Sequence, residues 1–334
     1  MANPIPTLMT TDVSELVRDR ILDLRGQPRS LELHGPLSLP RQLAVAWWRS
    51  RTRAEGAMPP GRESALCPIE CVWRGVRANA RRLDRYRAVC GHPDTGFLPA
   101  VWLESLFIGP MAAIVLSDFF PLSPLGLIHI AQRITLCRPV GVYESLDLLA
   151  RLAAVRQTSR GFELDLALEL RSGDEVPWSG LATLLSRNIA TRARGGRDGP
   201  NRIQLDDSGS DWCAEDIEVP ADLGRRYARA SGDWNPQHLW PITAQALGYR
   251  RPIAHGMWSL GRVIAKLDRQ LAPPWTVEAR FQRPVFLPGR VKLRWRDTGH
   301  ETEFEVRDST TLHPHLSGRA FNTKNADSRS PRPA

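Results

Sequence analysis

Two stretches of the chain alternate between apolar and polar positions, residues 162–170 (FELDLALEL, broken at Ala167) and residues 301–307 (ETEFEVR, with Thr302 at an apolar position). A period of two puts alternate side chains on opposite faces of a strand, so both stretches are predicted strands. Each belongs to a longer pattern that occurs twice. An Arg-Pro-Val triplet precedes each strand, Arg138-Pro139-Val140 and Arg283-Pro284-Val285, at an offset of 145 residues. Ahead of the triplets lie further alternating runs, Ile134 and Leu136 in the first copy and Val277, Ala279 and Phe281 in the second. A Ser-Gly strand closes each copy, at 178–182 (WSGLA) and 316–320 (LSGRA).

Helical segments precede the strands in both copies. Long apolar runs over 98–116 and 253–271 predict one long helix each. Shorter segments end in Gly91 and Gly232, each five residues after a tyrosine, Tyr86 and Tyr227. Each copy therefore reads as a short helix, a long helix and three or four antiparallel strands. This is an α+β architecture with one long helix wrapped by an antiparallel sheet. Pairing the two sheets edge to edge removes exposed edges. The domain reading is an N-terminal extension over 1–80, partly helical, a first copy over 81–190, a polar Gly/Arg-rich linker over 191–204, a second copy over 205–322 and a disordered tail over 323–334. In the extension, Val13, Leu16, Val17, Ile21 and Leu24 fall on one helical face, and Gly26 is a stop. Trp102 and Met111, on the long helix of the first copy, are candidates to line an acyl chain.

The copies differ in one loop. Six residues separate Gly91 from Leu98, whereas twenty separate Gly232 from Ile253. The longer loop carries Asp233, Asn235 and His238, with Pro236 preventing a continuous helix. A turn can bring the carboxylate and imidazole to one point, which is what holding and deprotonating a water requires. The Asn235 amide can orient a neighbour. Gly256 falls at the N-terminus of the second long helix, where an N–H without a side chain can approach a ligand oxygen and the helix dipole favours negative charge. Each residue alone also fits a turn, a cap or a surface position. His129, in an apolar alternating strand, reads as a core or interface residue.

At these residues the sequence resembles a known family. SGDWNPQH, then PIAHGM, then FQRPVFLPG, resemble the hydratase 2 motif of MaoC-like (R)-specific enoyl-CoA hydratases and 3-hydroxyacyl-thioester dehydratases. The resemblance is strong over 227–289 and weaker over 86–187, which is similar to the non-catalytic half of double hot-dog members. It implies a double hot-dog fold. It also implies that Asp233 and His238 hold the water, that Asn235 supports the site and that Gly256 donates to the thioester carbonyl. Ser231, His255, Met257 and Arg283 are the implied substrate-binding positions, and no metal or other cofactor is implied. The substrate would be an acyl-CoA or acyl-carrier-protein thioester, and the assembly a monomeric double hot-dog or a homodimer. The rival readings are an acyl-thioester-binding protein without catalysis and an acyl thioesterase. For the latter, the long helix after Met257 offers only Asp268 as a carboxylate.

Charge adds less. The 334 residues include 45 Lys+Arg and 36 Asp+Glu, a formal charge of +9. Three of the cations are lysines, Lys266, Lys292 and Lys324, leaving 42 arginines (45 − 3). The arginines are spread along the chain with acids interleaved, unlike the clustered cations and aromatic platforms of a nucleic-acid binder. Arg250, Arg251 and Arg283 are placed to meet an anionic carrier. Five scattered cysteines argue against a disulfide framework, and Cys67-x3-Cys71 has the wrong spacing for a zinc knuckle. The longest apolar stretch, residues 106–116, is half of what spans a bilayer. With no secretory pattern at the start, the expectation is a cytoplasmic protein without a membrane partner.

Overall fold

The structure is a computed structural model that describes residues 20–22, 24, 26–36, 45, 66–124, 126–187 and 211–323. The expected helix face at Val13, Leu16 and Val17, the 191–204 linker and the tail beyond Thr323 lie outside the described residues. The first half contains β1 (Arg20–Leu22), β2 (Arg29–Leu33), β3 (Ile69–Val76), α1 (Ala80–Cys90), α2 (Ala100–Glu104), α3 (Ile108–Val115), β4 (Leu127–Leu136), β5 (Leu146–Thr158), β6 (Gly161–Ser172) and β7 (Glu175–Arg187). The second contains β8 (Cys213–Val219), α4 (Leu223–Ser231), α5 (Pro241–Ala246), α6 (Gly256–Leu267), β9 (Trp275–Phe281), β10 (Gly289–Asp297), β11 (Glu301–Asp308) and β12 (Pro314–Asn322).

All strands join one sheet in the order β2-β3-β5-β6-β7-β4-β9-β12-β11-β10-β8, with β1 also pairing β5. The order of the second half mirrors that of the first, β3, β5, β6, β7, β4 against β8, β10, β11, β12, β9. The halves therefore repeat one fold about a pseudo-twofold axis, and the double hot-dog architecture holds. The seam is the antiparallel pair β4–β9, with Thr135 opposite Thr276 and their hydroxyls 2.9 Å apart. No edge is exposed at the seam, because each half supplies the other's missing neighbour.

Four features depart from the sequence reading. Ile21 lies in a strand, paired with Arg156 of β5, not on a helix. β3 is an integral strand of the first half, so that half begins before residue 81. Its alternation holds at Ile69 and Cys71 and then breaks, because a register irregularity lies between Trp73 and Val76. The first long helix is two short helices joined by a 3-10 turn at Ser105–Phe107. Pro110 lacks the N–H that would bond back across that turn. Trp102 is fully buried, and its indole N–H donates to the Ala230 carbonyl of the other half at 3.5 Å. It ties the halves together instead of lining an acyl chain.

The helices meet across the axis in matched pairs. Trp258 of α6 donates to the Val89 carbonyl at 3.0 Å, the counterpart of Trp102 and Ala230. Tyr86 and Tyr227 face each other with ring centroids 6.0 Å apart. Both α1 and α4 end on a left-handed glycine, Gly91 (φ 76°) and Gly232 (φ 84°), which satisfies the last carbonyls and turns the chain sharply. On the outer face of the sheet the polar positions are paired, with Asp165 held by Arg156 and Thr183, and Glu303 by Arg296. Many of the interleaved arginines and acids are therefore neutralised within the sheet.

Candidate active site

The site begins where α4 ends. Gly232 turns the chain out of the helix, and a Cβ there would stand 2.7 Å from Arg82 of α1. Arg82 donates to the carbonyls of Ala230 and Ser231, so the first half caps the helix that delivers the loop. The Ser231 hydroxyl donates to the Tyr227 carbonyl at 3.0 Å and accepts from the Asp233 N–H at 3.1 Å. Oδ1 of Asp233 accepts from the Asn235 N–H at 3.1 Å, an Asx turn. Asn235 precedes proline and is held extended (ψ 124°). Pro236 then opens a 3-10 turn, Pro236–His238, that swings the imidazole inward.

His238 is 7% exposed, and its Nδ1 lies 2.8 Å from the Ile253 carbonyl. A carbonyl only accepts, so Nδ1 carries the proton and Nε2 keeps its lone pair. His255 is the residue before α6, and its Nε2 donates to the Asp233 carbonyl at 3.0 Å. The two imidazoles stack with centroids 3.7 Å apart and planes inclined by 26°. Burial pushes both pKa values down, and each is moderated by a backbone carbonyl. The Asp233 charge works against the shift at His238, while His238 adds to the shift at His255. Both rings are therefore neutral bases at neutral pH.

Donor atoms of Asp233, His238 and His255 all lie within 4.8 Å of one another, and these three are the candidate metal ligands among the described residues. The stacked rings oppose that use. Lone pairs lie in the ring planes, and two nearly parallel planes run side by side without converging on one ion.

α6 starts at Gly256, so its first N–H has no partner within the helix and points out of the helix end. A Cβ at Gly256 would stand 2.7 Å from the Phe281 ring, so only glycine fits. The expected residues Asp233, Asn235, His238 and Gly256 thus gather on the loop and helix end of the second half. The other four differ. Ser231 is buried at 1% exposure, and its hydroxyl is used within the chain, so it positions Asp233 and does not face substrate. His255 is equally buried and faces the Asp233 backbone, although its Nδ1 has no hydrogen-bond partner. Met257 is buried in the core, and Arg283 is exposed on the rim, where its carbonyl faces His315 Nδ1 at 3.1 Å.

Two further residues reach the site from the first half. His129 of β4 lies 4.9 Å from the Phe281 ring, and burial pushes its pKa down to about 4. That agrees with an interface residue at the seam. Glu104, at the end of α2, was not anticipated. It is 6% exposed, and burial, together with the charge of Asp233, pushes its pKa up to about 8. Its signal in the sequence was an acid inside an apolar helical run (LPAVWLESLF).

Residues 212–318, in the second half of the chain, match the family model of the MaoC like domain. The chain is 28% identical over 265 residues to "3-hydroxyacyl-thioester dehydratase X" of Mycobacterium tuberculosis, covering 79% of this chain and 93% of that protein. It is 26% identical over 231 residues to "Enoyl-CoA hydratase 2, peroxisomal" of Arabidopsis thaliana, covering 61% of this chain and 72% of that protein. The crystal structure of HtdX of Mycobacterium tuberculosis aligns with a TM-score of 0.65 at 24% identity, over 75% of this chain and 98% of that one. A MaoC-like dehydratase from Phytophthora capsici aligns with a TM-score of 0.63 at 19% identity, over 78% of this chain and 97% of that one. These structures share the fold across both halves.

Proposed function

We propose that the chain is a hydro-lyase that adds water to trans-2-enoyl thioesters and removes it from (R)-3-hydroxyacyl thioesters. The observation that carries this reading is the pinned tautomer of His238. Its Nε2 keeps its lone pair, and a ring nitrogen of His238 lies within 4.8 Å of an Asp233 carboxylate oxygen beside the start of α6. This is an acid–base pair with a fixed direction.

The thioester carbonyl would accept from the Gly256 N–H, where the helix dipole stabilises the enolate that forms. Asp233 and His238 would hold one water. Its oxygen bonds to Cβ, one proton passes to the pair, and a proton returns to Cα on the same face. The C=C π bond is consumed, and the reverse order expels water. The reaction as written uses no metal and no other cofactor. A thioesterase would need a carboxylate on the long helix, and the candidate Asp268 lies just past its far end. The test is incubation with crotonyl-CoA, following loss of enoyl absorbance, free thiol and product configuration. The expected outcome is (R)-3-hydroxybutyryl-CoA with the thioester intact. Free thiol without hydration, or retention of the enoyl thioester, would contradict the reading.

A further inference from the structure

The rim of the site has a charge that the reaction does not use. Residues 223–253 contain five arginines, Arg225, Arg226, Arg229, Arg250 and Arg251, and a single carboxylate, Asp233 of the site itself. Among the described residues none of these five forms an ion pair. The equivalent helix of the first half differs, because there Arg87 pairs with Asp94 at 2.8 Å. The same segment carries exposed apolar side chains. Trp240 is 51% exposed and Ile242 76%. Arg225 lies over the Trp240 ring at 4.1 Å and donates to the Leu239 carbonyl at 2.9 Å. Arg250 lies over Phe286 at 4.2 Å, with Arg251 also against that ring at 5.7 Å.

This rim is continuous with the catalytic loop. The Thr243 hydroxyl of α5 donates to the Pro236 carbonyl at 2.7 Å, and Phe286 bridges to Ile253, whose carbonyl accepts the hydrogen bond from His238 Nδ1–H. Exposed apolar side chains in a segment whose cations form no ion pair have the form of a protein-docking surface. Arginines alone would serve equally for the phosphates of a nucleotide carrier. An isoleucine with three quarters of its surface in water gains nothing from phosphates. It gains from an apolar side chain on a partner, and the cations select one ringed by carboxylates.

We propose that Trp240, Ile242, Arg225, Arg250 and Arg251 form the docking surface for an acidic carrier protein that delivers the acyl thioester to the site. This rests on the reading of the site as one that acts on acyl thioesters.

Binding and turnover separate the two claims. The probes are an acidic acyl carrier protein, titrated against the labelled full chain, and crotonyl-pantetheine, which lacks any carrier. Ile242→Glu and the double variant Arg250→Glu/Arg251→Glu are each expected to weaken carrier-protein binding at least about tenfold, and added salt to weaken wild-type binding. Ile242→Glu is expected to turn over crotonyl-pantetheine as the wild type does. Carrier-protein binding that is absent, or unchanged in both variants, would overturn the proposal. A loss confined to crotonyl-CoA, marking a nucleotide site, would also overturn it. So would a dimer that Ile242→Glu dissociates while carrier binding is retained. If the wild type binds the carrier protein but leaves crotonyl-pantetheine unchanged, the docking surface stands and the reading of the site falls.

Discussion

The direction of the His238 lone pair decides what the site can do, and the Ile253 carbonyl sets it. Burial keeps this ring and His255 neutral, with consequences for stability. His92 and His129 are pushed from 6.5 to about 4, so between those values the unfolded chain binds protons that the folded chain does not. Stability is then lost as pH falls through that window, by up to about 1.4 kcal/mol per pH unit for each group. Glu104 acts in the opposite sense. Its pKa is raised from 4.5 to about 8, so the folded chain holds a proton that the unfolded chain has released. Stability is lost as pH rises through that window. The histidines outnumber it, so chemical denaturation should show stability rising from pH 4 to about 6.5 and then declining towards 8. Glu104→Gln should abolish the decline and steepen the rise between about pH 4.5 and 6.5, where Glu104 opposes the histidines. A decline that persists in Glu104→Gln would reject this assignment. Asp233, Asn235 and His238 were readable because the loop that carries them is absent from the first copy. Glu104 was not, because its partner lies in the other half and no local spacing connects them.

Trp102 and Trp258 hold the central helices together. Each indole N–H crosses the pseudo-axis to the last turn of the other half's short helix, at 3.5 and 3.0 Å. Replacing Trp258 by phenylalanine takes the indole donor from the Val89 carbonyl, which costs on the order of 1–3 kcal/mol, whereas the Ala230 carbonyl keeps Arg82 as a donor when Trp102 is replaced. Urea denaturation of Trp258→Phe should show a loss in this range, with Trp102→Phe losing less because its contact is longer. Equal stability in both variants and the wild type would show that these bonds contribute nothing. The strands were readable because apolar side chains line one face and polar ones the other, so a period of two survives in the sequence. The helices were read less well. An apolar run does not reveal that a 3-10 turn divides it, and β3 hid behind its own irregularity at Trp73–Val76.

At the scale of the whole molecule, one sheet joins two copies of a fold, and the candidate site lies on the loop and helix end of the second. The duplication was visible in the offset of the Arg-Pro-Val triplets, but the seam was not, since β4–β9 pairing is long-range and either edge of each copy could have met the other. The first half contributes Arg82 to the cap of α4, Glu104 beside Asp233, and His129 against Phe281. No described helix is long and apolar enough to cross a membrane. The central claim is that Asp233 and His238 are the acid–base pair. Turnover of crotonyl-CoA by Asp233→Asn and by His238→Ala tests it most directly, with each variant's fold checked by thermal unfolding. The expected result is a fall in kcat of at least about 100-fold in each folded variant, and near wild-type turnover in both would contradict the account.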